Sequence, residues 1–314
     1  MHLIKVFPGG GGIIWLLESK VEVMPTVVDM ASIRRLDPRE HVRKRPELYI
    51  GGTDNRALHN LVLTLLDHVV EQAYLGRCGH VWIELRDANT VVISDDSPGL
   101  PSGQYRDENL NELEALMQFR LLRGNLKPRG HWMNTSWRKV SFAAVNALSE
   151  NFEIENYHDG AVWRQKYQCG LPITQLVGIR DARSEGRTGT QIVFRPDYTI
   201  FDASDFDRSL VVQYAHDIAK LFPGVTVELR DSRTDPFYET SFQYPEGLKT
   251  YVEKLNRGSN ALHDVVHLRR NVKLSPSHYG NHAITAEIEV ALQFSNGADA
   301  VLEGYANGWR TRGT

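Results

Sequence analysis

Cysteine is scarce in this 314-residue sequence, which contains only Cys78 and Cys169. Two cysteines cannot supply the disulfide framework of a small secreted domain, so we expect a cytoplasmic protein in a reducing compartment. A large net charge is also absent, since the formal charge at pH 7 is −3. Without global attraction to nucleic acid, any DNA contact would have to come from a local basic patch.

Long apolar stretches are missing as well. The stretch from Val6 to Leu17 contains four consecutive glycines at 9–12. These would break the apolar helix of a secretory signal, and the stretch is too short to span a bilayer. We therefore expect neither export nor contact with a membrane. Residues 1–30 are interpreted as a disordered extension, or as sequence that precedes a true start at Met24 or Met30.

Hydrophobic residues make up 41% of the sequence, which is enough to bury a full core. Residues 57–78 are predicted to form an amphipathic helix, because apolar residues recur there at helical spacing. These residues are Leu58, Leu61, Val62, Leu65, Leu66, Val69 and Ala73. A polar stripe runs along one edge of the same helix and consists of Asn60, Thr64, Asp67, His68 and Glu71. The stripe is either a solvated face or part of a functional site.

Alternating apolar and polar residues predict the strands of a sheet. Val81–Leu85 and Val91–Ser94 flank a turn at 87–89 and form a predicted hairpin. Mixed strands backed by helices on one face predict a two-layer α+β sandwich. Its other predicted elements are a hairpin of 152–157 with 162–167, a strand at 191–194, a helix from a Ser204 cap to Leu221, and a closing strand at 225–230.

Several short sequence motifs follow one another in an order and spacing that fit one family. They are Val42-Arg43-Lys44-Arg45-Pro46, Tyr49-Ile50-Gly51, Leu58-His59, the acidic turn from Asp95 to Pro101, Val145-Asn146-Ala147-Leu148-Ser149, Thr188-Gly189-Thr190 and Pro223-Gly224-Val225. Through these words the sequence resembles the ATPase region of the B subunits of DNA gyrase and topoisomerase IV. Those subunits are members of the GHKL superfamily and have the Bergerat fold. The resemblance covers about residues 31–314.

The resemblance implies two domains after the extension. A GHKL-type ATPase-like domain is expected at 31–245 and a partial transducer (ribosomal S5-like) domain at 246–314. In the second domain we predict a helix at 247–256 and a long strand at 284–294. The family's transducer carries a lysine that reaches the γ-phosphate. Since the sequence ends before the corresponding loop, the transducer is expected to be truncated.

In the family, the first long helix carries the pattern Glu-x-x-Asp-Asn, in which the glutamate activates water and the asparagine holds Mg²⁺. Here the same positions read Thr64-Leu65-Leu66-Asp67-His68. A threonine hydroxyl cannot act as a general base near neutral pH, and an imidazole nitrogen is a poor ligand for an ion that requires oxygen. Glu71 lies one further turn along the helix beyond His68, a shift of about 5 Å, which is too large for Glu71 to replace the base. We therefore predict no catalytic residue and no metal site.

The family's glycine-rich lid is the second expected loss. Its glycines let backbone N–H groups close on the phosphates at the N-terminus of a helix. The corresponding run from Thr135 to Ser141 contains no glycine. Trp137 and Val140 stand where close backbone approach is required, which disfavours the phosphate-binding conformation. ATP hydrolysis is therefore not expected.

Residues on the adenine side of the family's site are retained. Asp95 matches the aspartate that accepts a hydrogen bond from the adenine amino group, Gly99 matches a glycine of the same turn, and Thr190 matches the threonine behind it. Ser97 and Pro98 replace a glycine and an arginine of the family. The resemblance thus implies a residual adenine site, whereas the residues alone are also explained by ordinary capping at the end of a strand.

Three polar clusters have both a functional and a structural interpretation. The basic segment 31–52 either packs against the core, as in the family, or is a solvated helix edge. The region 120–139 would either bind a polyanion or form a solvated loop, with Arg120, Arg123, Lys127, Arg129, Arg138 and Lys139 interleaved with His131, Trp132 and Trp137. His263 with His267, and His278 with His282, have zinc-binding spacing only on a helix, and the family match places the first pair near a strand.

Three functions are compatible with these features, and they must be distinguished at the site and not by the fold. We favour a pseudo-ATPase that acts as an interaction or regulatory module, with a topoisomerase-like subunit or a second copy of itself as partner. The second is a protein that binds ATP without Mg²⁺ and without turnover. The third is a working ATPase subunit of a divergent type II topoisomerase.

Overall fold

In the part of the chain that the structure describes, nine strands form one mixed sheet. The computed structural model describes residues 37–105, 109–118, 138–180, 186–202, 205–274, 284–296 and 300–311. The predicted extension at 1–30 lies outside these stretches. Within them, no helix is both long and apolar enough to cross a bilayer.

Along the described chain the elements follow in the order α1-α2-α3-β1-β2-α4-α5-β3-β4-β5-β6-β7-α6-β8-β9-α7-β10-β11-β12-β13. The helices are α1 (Pro38–Lys44), α2 (Glu47–Ile50), α3 (Asn55–Tyr74), α4 (Glu112–Met117), α5 (Arg138–Ala147), α6 (Arg208–Leu221) and α7 (Leu248–Leu255). The strands are β1 (His80–Leu85), β2 (Val91–Asp95), β3 (Ser149–His158), β4 (Ala161–Gln168), β5 (Leu171–Pro172), β6 (Val177–Ile179), β7 (Gly189–Pro196), β8 (Thr226–Asp231), β9 (Tyr238–Gln243), β10 (Val266–Leu274), β11 (Ile284–Leu292), β12 (Tyr305–Ala306) and β13 (Trp309–Arg310).

Strand order in the main sheet is β5-β4-β3-β7-β2-β1-β8-β9, and β6 pairs with β4. Both predicted hairpins are present, as the antiparallel pairs β1–β2 and β3–β4, while β1 and β8 run parallel. The prediction that 225–230 closes the sheet is wrong, because β9 pairs with β8 beyond it. Half-buried and exposed residues alternate along β9, so its sequence carries little apolar signal.

The long amphipathic helix is present as α3, and all seven of its predicted apolar residues are buried. Asp54 caps it by accepting a hydrogen bond from the Ala57 amide at 2.9 Å. The predicted end at Cys78 is four residues too late. Gly76 takes a positive φ of 66°, and the Arg77 amide bonds to the Gln72 carbonyl at 2.8 Å. This left-handed glycine terminates the helix.

Helix α6 also begins later than predicted. Ser204, the predicted cap, lies outside the described residues. The observed cap is Asp207, whose carboxylate accepts a hydrogen bond from the Ser209 amide at 2.8 Å. The Asp207 amide in turn donates to Nε2 of the fully buried His59 at 2.7 Å. The start of α6 is therefore fixed by a contact with α3, which the sequence pattern does not contain.

The basic segment packs against the core through two of its arginines. Arg43 forms an ion pair with Asp197 at 2.5 Å and donates to the Ala147 carbonyl at 2.8 Å. Arg39 donates to the carbonyl of Cys169 at 3.0 Å. Arg45, by contrast, remains exposed on the helix edge. Arg39 and Arg43 thus fit the interpretation that the basic segment packs against the core, and Arg45 fits the interpretation that it is a solvated helix edge.

The C-terminal part of the described chain contains α7, the antiparallel ribbon β10–β11 and the small hairpin β12–β13. The predicted helix at 247–256 is present as α7, with Gly247 at its N-cap and Asn256 at its C-cap. The predicted strand at 284–294 is present as β11. The boundary at 245/246 and the assignment of a transducer domain stay predictions.

A fully buried lysine joins the small hairpin to α6. The Lys220 ammonium lies 2.8 Å from an Asp217 oxygen and 2.9 Å from a Glu303 oxygen. It also lies over the rings of Tyr251, at 4.4 Å, and Tyr305, at 4.9 Å. Burial alone would lower the pKa of Lys220, but the hydrogen bonds to its two carboxylates raise it above its usual value. The ammonium is therefore charged and fully engaged.

We expect Lys220→Ala to lower the free energy of unfolding by about 3 kcal/mol, because it removes the cation between two partly buried carboxylates. Urea unfolding followed by circular dichroism measures this. Lys249→Ala is the matched control, since Lys249 pairs with the acid three residues before it on the surface. It should leave the unfolding midpoint unchanged. Equal effects of the two substitutions would contradict a structural role for the buried pair.

Acid should weaken the same cluster. Burial raises the pKa of Glu303, but hydrogen bonds from Lys220 and Tyr305 outweigh this and lower it from 4.5 to about 2. The contribution of Glu303 is therefore complete above its unfolded value of 4.5 and is lost as the pH falls toward 2. In urea titrations across that range, Glu303→Gln should show a smaller acid loss of stability than the parent chain. Parallel pH profiles would refute this assignment.

Candidate functional site

The polar stripe of α3 is half-buried along its length and is not a freely solvated face. Near the start of the helix, the Asn60 side chain donates to the Ile50 carbonyl at 2.8 Å and ties α2 to α3. Thr64, Asp67, His68 and Glu71 follow at three- and four-residue offsets, so they lie on the same side of the helix. Asn60, Asp67 and His68 of the stripe thus have partners inside the described protein.

His68 packs against α5. Its ring lies edge-on to the ring of Phe142, with 5.6 Å between centroids, and Phe142 is itself buried. Edge-to-face aromatic pairs at this separation are favourable. The position that the resemblance assigns to a metal-binding amide is therefore filled by an imidazole in aromatic contact.

Asp67 is bonded to the C-terminal hairpin. The indole Nε1–H of Trp309 donates to an Asp67 carboxylate oxygen at 2.7 Å. The hairpin turns at Asn307 and Gly308, which take φ values of 54° and 85°. Two consecutive positive φ angles are typical of the tight turns favoured by Asn-Gly. A segment 242 residues away in sequence thus reaches the helix that carries the stripe.

Asp95 and Thr190 are in direct contact at the end of β2. The Thr190 hydroxyl donates to Oδ2 of Asp95, and the Ser97 amide donates to Oδ1 at 2.9 Å. All three residues are buried. By strand alternation, Asp95 lies on the same side of β2 as the buried Val91 and Ile93. Each carboxylate oxygen has a second lone pair, so the carboxylate retains the capacity to accept another hydrogen bond.

Gly99 holds the acidic turn against β3. It takes a φ of 80°, and a Cβ atom at this position would lie 2.5 Å from the Tyr157 carbonyl oxygen. Beside it, the Asn156 side chain accepts from the Leu100 amide at 2.7 Å and donates to the Leu100 carbonyl at 2.8 Å. Only glycine combines this conformation with this close approach.

Of the three residues predicted on the adenine side, Asp95 and Thr190 are brought into contact, and Gly99 belongs to the turn that follows Asp95. The lid prediction is not tested. Residues 119–137 lie outside the described residues. This range contains Arg120, Arg123, Lys127, Arg129, His131, Trp132 and Trp137 of the predicted basic region. The backbone of α5 begins at Arg138.

The chain is similar in sequence and in fold to B subunits of DNA gyrase. The gyrase B subunit of Thermotoga maritima is 31% identical over 282 residues, which cover 89% of this chain and 43% of that protein. The mitochondrial gyrase B subunit of Arabidopsis thaliana is 32% identical over 287 residues, covering 89% and 38% respectively. The 43K ATPase domain of Thermus thermophilus gyrase B, solved with an aminocoumarin, superposes with a TM-score of 0.69 at 25% identity. It covers 88% of this chain and 68% of that domain. No family model matches the chain.

The chain is a homologue of the gyrase B ATPase region. The resemblance inferred from the sequence words and the two-layer sandwich with its large mixed sheet are both confirmed. The chain spans less than half the length of the curated gyrase B relatives that it matches.

In this gyrase B homologue, the first histidine pair lies at the start of β10, with His263 before the strand and His267 within it. His263 precedes β10 and interacts with the backbone of Asp264 and Phe294, whereas His267 pairs with Glu289 at 2.9 Å. His278 and His282 lie outside the described residues. Among the residues that are described, no group of three or more His, Cys, Asp or Glu side chains could hold a metal ion.

Sequence reasoning missed the contribution of the C-terminal hairpin to the gyrase-B-like site. Trp309 reaches Asp67, and Glu303 and Tyr305 reach Lys220. The Asn307-Gly308 dipeptide between aromatic residues was a usable hairpin signal. No local pattern, however, indicates which helix such a hairpin will contact.

We expect Trp309→Phe to destabilise the chain by about 1.5–3 kcal/mol, the range for a hydrogen bond to a charged group. The phenyl ring keeps the apolar packing but removes the N–H that donates to Asp67. Trp82→Phe is the control, because Trp82 is 40% exposed and stacks on His80 at 4.0 Å. It should cost less than about 0.5 kcal/mol. Urea unfolding by circular dichroism compares the two, and similar costs would disprove the importance of the indole bond.

Proposed function

We propose that the chain is a gyrase-B-like module that does not hydrolyse ATP and acts through protein contacts, as an interaction or regulatory module. The observation that carries this proposal is the state of the α3 stripe. The position expected for the catalytic glutamate holds Thr64, and the position expected for the Mg²⁺-binding asparagine holds His68, packed on Phe142. A hydroxyl and an imidazole do not supply the base and the oxygen ligand that this hydrolysis needs.

The remaining carboxylates of the stripe support the same conclusion. Asp67 accepts the indole hydrogen bond of Trp309, so moving it to activate water would break a contact that holds the hairpin. Glu71 lies two helical turns beyond Thr64, counting about 5.4 Å for each turn. A catalytic group must be held within about 0.5 Å of its productive position. Neither carboxylate replaces the missing glutamate.

A protein partner follows from the family of the homologues. The curated relatives are named as subunits, and we propose a topoisomerase-like subunit or a second copy of this chain as the partner. DNA is a weaker candidate, since the net charge of −3 provides no general attraction to phosphates.

The proposal predicts that the purified chain releases phosphate from ATP no faster than buffer does, with or without Mg²⁺. A coupled phosphate-release assay and calorimetric titration with ATP and a non-hydrolysable analogue measure turnover and binding separately. The proposal requires the absence of turnover. Mg²⁺-dependent turnover that survives repurification would overturn it in favour of a working ATPase subunit.

Restoring the two helix positions should not restore activity. In Thr64→Glu combined with His68→Asn, the base and the amide return, but the run from Thr135 to Ser141 still lacks the glycines that bind phosphate. We expect turnover to remain at background in the double variant. Recovery of hydrolysis would show that the lid sequence is competent and that the defect is confined to α3.

Binding of an adenine nucleotide without Mg²⁺ and without hydrolysis is the second candidate. The observation in its favour is the buried Asp95–Thr190 contact next to the Gly99 turn, because these residues match those of the family's adenine side. Calorimetry in EDTA separates the two candidates, because only the second gives heat of binding. In that case Asp95→Asn should weaken binding roughly tenfold or more, the effect of losing one well-formed hydrogen bond to a charged group.

A further inference from the structure

A groove lies on the face of the main sheet that is turned away from the core. Ile83 of β1 is buried in the core that contains α3, so by strand alternation its neighbours Trp82 and Glu84 lie on the opposite face. A cavity of about 470 Å³ opens beside these two side chains, within the size range of ligand pockets. We call it the outer groove. Asp95 also borders the outer groove, but its carboxylate lies on the core side, where it is bonded to Thr190.

Trp82 gives the outer groove an aromatic wall. The residue is 40% exposed. The His80 ring is stacked on one face of the indole, with 4.0 Å between the ring centroids and 6° between the ring planes. The lining of the groove lies on the other side of Trp82, where it includes Glu84 and Arg86, farther along the chain. The second face of the indole therefore opens into the groove.

Two carboxylates flank this indole. Glu228 of β8 is paired with Trp82 across neighbouring parallel strands, which are about 4.8 Å apart. Glu84 lies two residues farther along β1, on the same face of the sheet. The His80 ring contacts Glu228 at 2.9 Å. Ser232 donates to Glu84 at 3.0 Å. An ionised carboxylate can accept about four hydrogen bonds, so both groups have the capacity to accept more.

Carboxylates outnumber guanidinium groups in the lining, even without Asp95. The carboxylates are those of Glu84, Asp96, Glu228 and Glu239, and the guanidinium groups are those of Arg86, Arg187 and Arg230. Arg86 donates to Glu84 at 3.3 Å, and the other two guanidinium groups each lie 4.1 Å from the centroid of an aromatic ring. Glu239 is exposed and has no ion pair among the described residues. The outer groove therefore favours a ligand that brings positive charge.

We propose that the outer groove binds an arginine side chain of a partner protein. The guanidinium group stacks on the open face of the Trp82 indole and donates hydrogen bonds to Glu84 and Glu228. The face of an indole attracts cations. A guanidinium group is planar, weakly hydrated and stacks on aromatic rings, whereas the ammonium of a lysine is a strongly hydrated point charge. An aromatic face with carboxylates on two sides thus matches arginine better than lysine.

A protein segment fits this groove better than a nucleic acid does. A base could stack on Trp82, but the phosphates beside it would meet the carboxylates of the lining. The inference rests on the proposed function in one respect, because it takes the partner of this gyrase-B-like module to be a protein. It adds the chemical nature of the contact and requires neither a nucleotide nor a second copy of this chain.

The test is a nuclear magnetic resonance titration of the complete chain with a blocked peptide, acetyl-Gly-Gly-Arg-Gly-Gly-amide. The matched peptide carries citrulline, which has the shape of arginine without its charge. The arginine peptide should shift the amide signals of β1 and β8 and the indole N–H signal of Trp82, which is identified by its loss in Trp82→Phe. We expect the citrulline peptide to bind at least about fivefold more weakly.

Substitutions in the groove measure the contribution of each part. Trp82→Ala should weaken binding at least about fivefold, because it removes the stacking surface. Glu84→Gln and Glu228→Gln should each weaken binding roughly two- to fivefold. The matched control is Glu153→Gln, which removes the same charge from the same face of the sheet but lies outside the groove, paired with Lys166 at 3.1 Å. It should leave binding unchanged.

Circular dichroism checks the folding of each variant, and if Trp82→Ala folds poorly, the two peptides on the parent chain decide. Equal binding of the two peptides overturns the proposal, and so does an arginine peptide that leaves the signals of β1 and β8 unchanged at about 10 mM. A single-stranded oligonucleotide that shifts the Trp82 signal more than the peptide does overturns it as well. Phosphate release from ATP would refute the proposed function without altering the peptide titration, whereas a failed titration leaves the phosphate assay unaffected.

Discussion

A polar group that is removed from water must find a partner inside the protein, and this constraint decides how distant parts of the described chain are joined. Asp197 lies next to Arg43 of α1, Asp67 accepts from Trp309, and the ammonium of Lys220 lies between Asp217 and Glu303. Each contact joins elements that apolar packing alone would leave free to slide. Removing one partner leaves the other with its desolvation cost uncompensated, so these polar contacts specify positions more sharply than the surrounding core does.

The sandwich could be predicted from the sequence because its main helices and strands have patterns of apolar residues that are local in the chain. The helical spacing of Leu58 through Ala73 and the alternation around the turn at 87–89 depend only on residues close together in the chain. The errors fall where a non-local contact wins. Helix α6 begins at Arg208 because Asp207 is fixed by His59. Strand β9 exists because β8 offers it an edge, although its own residues are only half-buried.

On the adenine side, the residues of the candidate site could be predicted from the sequence. On the side of the α3 stripe, the contacts of the residues could not. Asp95, Gly99 and Thr190 were inferred from matching words, and the structure brings Asp95 and Thr190 into contact through neighbouring strands of one sheet. The partners of the α3 stripe were not predictable. Nothing around Trp309 indicates that its indole reaches Asp67, since the bond depends on the path of the chain after α6. Matching sequence motifs indicate which residues a site shares with a family, whereas three-dimensional packing shows which partners those residues have.

The polar edge of α3 has a structural role that its contacts explain. A helix in a hydrolytic site must present an available carboxylate and an oxygen ligand to solvent and metal, which leaves polar groups incompletely bonded until substrate arrives. In this chain the equivalent edge is occupied from within, by aromatic contact at His68 and by the indole bond at Asp67. The stripe forms an interface between α3, α5 and the C-terminal hairpin. A change at the hairpin would therefore act on α3 through the bond from Trp309 to Asp67.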